Sequence, residues 1–180
     1  MRLFIGLPLS LEAQENTAAL AREAQAVIPG RYALTSNYHM TLAFLGDVLP
    51  ERLKEAKQVL DAFAAQFSAP RLTLGPLSHF GKPSNAILIR TVSSPDALNA
   101  MHESLLSSLH LRALPVTDGP FSPHVTLARH ADLTTAAQPL PAVPDFSFTA
   151  PHAVLYLSAR DEENILRYTP LHRAAFRSFP

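Results

Sequence analysis

The stretch HMTLAFLG, residues 39–46, returns at residues 124–129 as HVTLAR. His, Thr, Leu and Ala agree in the same register, and the two copies lie about half a chain apart. In a β-strand, side chains alternate between faces with a period of two. His39, Thr41 and Ala43 are therefore expected on one face, with Met40, Leu42 and Phe44 on the other. The second copy reads alike, with His124, Thr126 and Ala128 set against Val125 and Leu127. Each strand thus offers an apolar face to a core and a His/Thr face to something polar, with a small Ala beside the imidazole. One H-x-T strand alone says almost nothing. Two that agree at four positions, in matching contexts, point to an internal duplication with a shared cleft.

The surrounding elements repeat as well. Residues 2–9 read as a buried strand, and Ser10 is suited to cap a helix running to about Ile28, where Pro29-Gly30 ends it. Pro50 suits the first turn of a second helix. Leu53, Ala56, Leu60, Phe63 and Phe67 form its apolar stripe. RLTLGPL and NAILIRTV follow as strands around the turn-rich GKPSN. Ser94 and Pro95 then suit the start of a third helix, with a stripe of Leu98, Met101, Leu105 and Leu109. After PHVTLAR comes the proline-rich QPLPAVP, expected as an extended loop. DFSFTAPHAVLYLSAR and RYTPLHRAAF close the chain as strands, with a hairpin turn at Asp161–Asn164. The expected fold is α+β and bilobal, spanning residues 1–180. Two mainly antiparallel sheets carry outer helices, related by a pseudo-twofold, with an active-site cleft between them.

Composition narrows the function. Of 180 residues, 47% are hydrophobic and 17% charged, an ordinary globular balance. Fifteen basic residues meet fifteen acidic ones, which argues against coating long nucleic acid but not against gripping one nucleotide or one chain end. The absence of cysteine removes disulfides, thiolate metal sites and a cysteine nucleophile. Gly6 and Pro8 interrupt the N-terminal apolar run, so a first strand is expected there rather than a signal peptide. No run is long enough to span a membrane. A cytoplasmic, soluble protein is expected.

Two imidazoles and two hydroxyls across one cleft suit phosphoryl chemistry. An imidazole titrates near neutral pH, so a pair supplies one acid and one base. Threonine hydroxyls donate to non-bridging oxygens, where charge builds up. Neither motif contains Asp or Glu, and no H-x-H or H-x-x-x-H occurs, so no metal or cofactor is expected. Strand parity alone leaves open which histidine is the acid. The other six, His79, His102, His110, His130, His152 and His172, read as structural.

The paired motifs resemble the two-histidine phosphoesterases, most closely the bacterial RNA 2',3'-cyclic phosphodiesterases also described as 2'-5' RNA ligases. HMTLAFLG, FSPHVTLAR, the N-terminal RLFIGLPL and the C-terminal RYTPLHR carry the resemblance over nearly the whole chain. It implies metal-free hydrolysis of a terminal 2',3'-cyclic phosphate to a 2'-phosphomonoester, with His39 as proton donor and His124 as proton acceptor. Ligation in the same site would replace water with a 5'-hydroxyl. The implied partner is an RNA end or a small nucleotide carrying a 2',3'-cyclic phosphate. No protein partner is implied, and a monomer is expected. Alternatives are a two-histidine enzyme for 2',5'-oligonucleotides or other cyclic nucleotides, and a non-catalytic nucleotide or RNA-end binding module. Arg129, an odd step beyond His124, reaches the phosphate only if its strand ends or bulges first. Arg160, Arg167, Arg173 and Arg177 form a C-terminal basic group that reads as a solvated face. Tyr38, Phe80, Phe121 and Tyr168 are the open candidates for stacking on a base.

Overall fold

The computed structural model describes residues 1–94, 97–136 and 140–177. Its strands are β1 (Arg2–Pro8), β2 (Arg31–Tyr32), β3 (His39–Asp47), β4 (Arg71–Phe80), β5 (Ala86–Ser93), β6 (His124–Ala131), β7 (Phe146–Thr149), β8 (His152–Arg160) and β9 (Leu166–Ala175). The helices are α1 (Leu11–Gln25), α2 (Leu53–Ala64) and α3 (Ala97–Leu111). The Ser10 hydroxyl accepts from Ala13 N–H at the head of α1. Pro50 opens a short 3-10 turn that leads into α2, whose Ala56, Leu60 and Phe63 are buried as their spacing predicts, whereas Leu53 is half-buried and Phe67, expected on the same stripe, lies three residues past the helix end. Leu98, Met101, Leu105 and Leu109 are buried along α3. Pro95, expected at the start of α3, lies outside the described residues, as do Gln138 and Pro139 of the proline-rich connection.

Among the described residues the strands run β7-β4-β5-β6-β3-β1-β8-β9, with β2 added beside β6. Every pairing between these strands is antiparallel. The two expected sheets are therefore halves of one. A single residue pair, Met40 with Val125, joins β3 to β6 at the seam. DFSFTAPHAVLYLSAR, read as one strand, is two strands in opposite halves. Pro151, which has no N–H to give, marks the break between β7 on β4 and β8 on β1.

The halves also exchange parts. In chain order β1-α1-β3 corresponds to β5-α3-β6. The next main strand of each unit crosses over, so that β4 pairs with β5 and β8 with β1. The helices cross too: α1 follows β1 but lies against β7, and α3 follows β5 but packs on β3 and α2. Neither half is a sequence half.

One buried cation ties the layers together. Arg90, on β5, is 0% exposed. Its Nε donates to Gly75 O at 3.0 Å, and its Nη1 to Asn16 Oδ1 at 2.6 Å and Thr17 Oγ1 at 3.2 Å. Nη2 reaches Leu74 O at 3.5 Å and Pro144 O at 3.3 Å. Burying a guanidinium is costly unless its donors are matched. Here all five N–H groups find oxygens, and in doing so they fasten α1 and the proline-rich connection to the sheet.

Candidate active site

The Met40–Val125 pair is the middle residue of each H-x-T. Antiparallel pairing about that point sets Thr41 beside His124 and His39 beside Thr126, on the face away from the core. Both histidines are held alike from below. His39 Nδ1 donates to Asn37 O at 2.7 Å, and His124 Nδ1 donates to Ser122 O at 2.7 Å. A carbonyl only accepts, so the proton of the neutral ring sits on Nδ1, and Nε2 is left to do the chemistry. His39 Nε2 lies 3.0 Å from Thr41 Oγ1.

Each ring rests on aromatics. Phe4 packs 4.6 Å from His39 between centroids, and Tyr168 meets it edge-on at 5.0 Å. Phe80 meets His124 edge-on at 4.9 Å. Gly6 is needed beneath His39, because a Cβ there would stand 2.9 Å from Met40 O and 3.1 Å from His39 Cδ2. Burial pushes the His39 imidazole down to about 4, against its backbone hydrogen bond to Asn37, and the charge of His124 adds to the fall. His124 is lowered as well, by burial and by the nearby Arg129 guanidinium.

The structure corrects the simple alternation on these strands. β1 pairs Gly6 with Thr41 and then Ile5 with Ala43, so β3 carries an extra residue there. β5 pairs Ile89 with Thr126 and then Leu88 with Ala128, so β6 carries one at the corresponding place. At these bulges Leu42 and Ala43, and Leu127 and Ala128, all turn into the core, at most 3% exposed. Parity flips beyond each bulge. Ala43 and Ala128 therefore do not flank the imidazoles, and Phe44 does not face the core. Phe44 is 50% exposed and packs 6.0 Å from Phe4 on the His39 side. Arg129 gains the His124 side. Phe44 and Arg129 are pseudo-twofold mates, one apolar and one cationic, at the two rims of the cleft.

The bulges leave carbonyls to satisfy. Leu127 O accepts from Ala33 N–H at 2.8 Å, and Leu42 O accepts from His102 Nδ1 at 2.7 Å. His102, read as structural from the sequence, thus props the strand of the first motif. It also stacks on Phe121 at 4.1 Å and 6°. Thr41, Phe44, His102, Phe121 and His124 line a cavity of about 160 Å³. Nothing in the helical stripe of α3 signals this, because His102 falls between core positions. Among the described residues no three His, Asp or Glu side chains are grouped as metal ligands would be, and no helix is long and apolar enough to cross a membrane.

Comparison with known proteins gives a consistent set. The model of the 2'-5' RNA ligase superfamily matches residues 10–162. An RNA 2',3'-cyclic phosphodiesterase of Escherichia coli K12 is 30% identical over 178 residues, which is 97% of this chain and 96% of that protein. One from Geobacillus stearothermophilus is 31% identical over 159 residues, 85% of this chain but 51% of the relative, so the match spans about half of that protein. Among solved structures, E. coli LigT complexed with 3'-AMP superposes with a TM-score of 0.72 at 28% identity, covering 98% of both chains.

Proposed function

This chain belongs to the 2'-5' RNA ligase superfamily, and from that premise we propose that it hydrolyses RNA 2',3'-cyclic phosphate ends to 2'-phosphomonoesters without a metal. As proposed, residues 1–180 form one two-lobed enzyme that acts as a monomer, in the cytoplasm, on RNA ends or small cyclic nucleotides. The observation that carries the reading is the pair of locked imidazoles, each with Nδ1 tied to a carbonyl and Nε2 left for the cleft at the seam.

The phosphate lies between them. His124 Nε2 takes a proton from water as the water oxygen attacks phosphorus. His39 Nε2 gives a proton to the 3'-oxygen as its bond to phosphorus breaks. Charge on the non-bridging oxygens is met by the Thr41 and Thr126 hydroxyls and by Arg129, now on the same face. An RNA oligonucleotide ending in a 2',3'-cyclic phosphate, incubated with excess EDTA, tests this. A 2'-phosphate product is expected at the rate seen without chelator. Loss of turnover, restored by zinc or manganese, overturns it.

The pH profile follows from the burial of the rings. The kcat/KM profile reports the free enzyme, in which the base must be neutral and the acid charged. Both imidazoles titrate below the ordinary value near 6.5. A rise in pH through the lower value strips the acid, and a fall protonates the base. The bell for kcat/KM is therefore expected to lie on the acid side of pH 6.5. Its apparent values belong to the pair. A bound phosphodiester anion favours imidazolium, so the kcat bell should sit at higher pH. An alkaline limb of kcat/KM at pH 7 or above contradicts this electrostatic account.

A further inference from the structure

The face that carries His39 continues across β1 and β8 to β9. Gly6 pairs with Val154, and Val154 with Arg173, so Arg173 shares that face. Tyr156 and Tyr168, which flank the His39 ring at 5.8 and 5.0 Å, also wall a second cavity of about 390 Å³. Arg173 and His152 line it too. The cavity and the catalytic cleft thus share two tyrosine walls.

The C-terminal arginines separate on this surface. Arg167 pairs with Asp161 at 2.6 Å, and Arg160 donates to Asn164 O at 2.6 Å. Arg177 bonds through its backbone to Phe67, three residues past α2. Arg173 differs. Its Nη1 donates to His152 Nε2 at 3.1 Å, and among the described residues no carboxylate lies within ion-pair distance. An imidazole that accepts a hydrogen bond is neutral, so the contact orients the guanidinium without cancelling its charge.

We propose that this cavity is a subsite for the RNA strand upstream of the reacting end, with Tyr156 and Tyr168 against sugar and base and Arg173 on an internucleotide phosphate. The inference rests on the proposed reaction. With the cyclic phosphate between the imidazoles, the strand needs a way out of the cleft. The side beyond Thr41 and His124 holds the smaller cavity, about 160 Å³, lined in part by Phe121 and His102. The side beyond His39 is larger, aromatic and cationic, the combination that holds single strands. β9 stands three strand spacings from β3, about 14 Å at 4.7–4.9 Å each. That backbone separation sets Arg173 away from the imidazole pair and suits a phosphate further along the chain.

The test compares kcat/KM for a 2',3'-cyclic mononucleotide and a tetranucleotide with the same cyclic end, in wild type and Arg173→Gln. Wild type is expected to prefer the tetranucleotide. The variant is expected to reduce that preference about tenfold, and to flatten the slope of log(kcat/KM) against log salt for the tetranucleotide by about 0.7. An equal rate constant for both substrates in wild type overturns the subsite, as does a variant that lowers both alike. If wild type hydrolyses neither substrate, the reaction itself is misassigned. Anisotropy of a labelled tetranucleotide ending in a 2'-phosphate then reads the subsite alone. Weaker binding by the variant supports it, and equal binding removes it.

Discussion

His39→Ala is expected to lose about 10²–10⁴-fold in kcat/KM on a cyclic RNA end, yet to recover much of that loss on a nitrophenyl phosphodiester. The ribose 3'-oxygen leaves as a strongly basic alkoxide and needs a proton in the transition state. A nitrophenolate is stable without one. His124→Ala removes the base and is expected to fail on both substrates. The quantity to compare is kcat/KM, which measures transition-state stabilisation from the free enzyme. Far-UV circular dichroism first establishes that both variants fold, since His39 packs on Phe4 and Tyr168. Rescue of His124→Ala instead would exchange the two roles. Equal, modest losses for both variants on both substrates would mean that neither ring moves a proton.

The division between what the residues announced and what they did not has a physical origin. The paired H-x-T strands, the three helices and the antiparallel α+β layout follow from periodicities that each segment carries within itself. Ser10, the α3 stripe and the α2 stripe up to Phe63 fall where spacing puts them. The bulges do not, because an extra residue in one strand is defined only against its partner. Alternation therefore assigned Ala43, Ala128 and Phe44 to the wrong faces, and left Arg129 dependent on a bulge that only the ladder reveals. The contact that His102 makes is hidden for the same reason, as its partner is a carbonyl on a distant strand. The fates of DFSFTAPHAVLYLSAR and of the four C-terminal arginines likewise depended on which strands lie alongside.

Thr41→Val and Thr126→Val should each cost on the order of 10²–10³ in rate, the usual loss of one oxyanion donor. Valine keeps the shape and the strand preference, so stability should change little. The two variants should nonetheless differ. Thr41 Oγ1 also bonds His39 Nε2 at 3.0 Å. Its loss should therefore move the pH profile as well as the rate. Among the described residues Thr126 makes no such bond to a histidine, and its variant should lower the rate at every pH by the same factor. Either valine variant within about threefold of wild type would make that threonine a structural neighbour and not a phosphate ligand.

The exchange of strands between the halves bears on how the chain is made. Ile5 pairs with Leu155, at opposite ends of the sequence. As the polypeptide emerges from the ribosome, β1 can find β3 early, but its other edge stays open until β8 has been synthesised. In the other half β4, β5 and β6 are all made before β8, and only the edge strand β7 comes as late. During translation the half built on His124 can therefore close first, and the half that holds His39 waits with an apolar strand edge exposed. Loop closure over so long a span is slow, and an open edge of this kind invites pairing with other chains. The interlock that seats two histidines at one seam thus makes the N-terminal strand of the nascent chain its most vulnerable part.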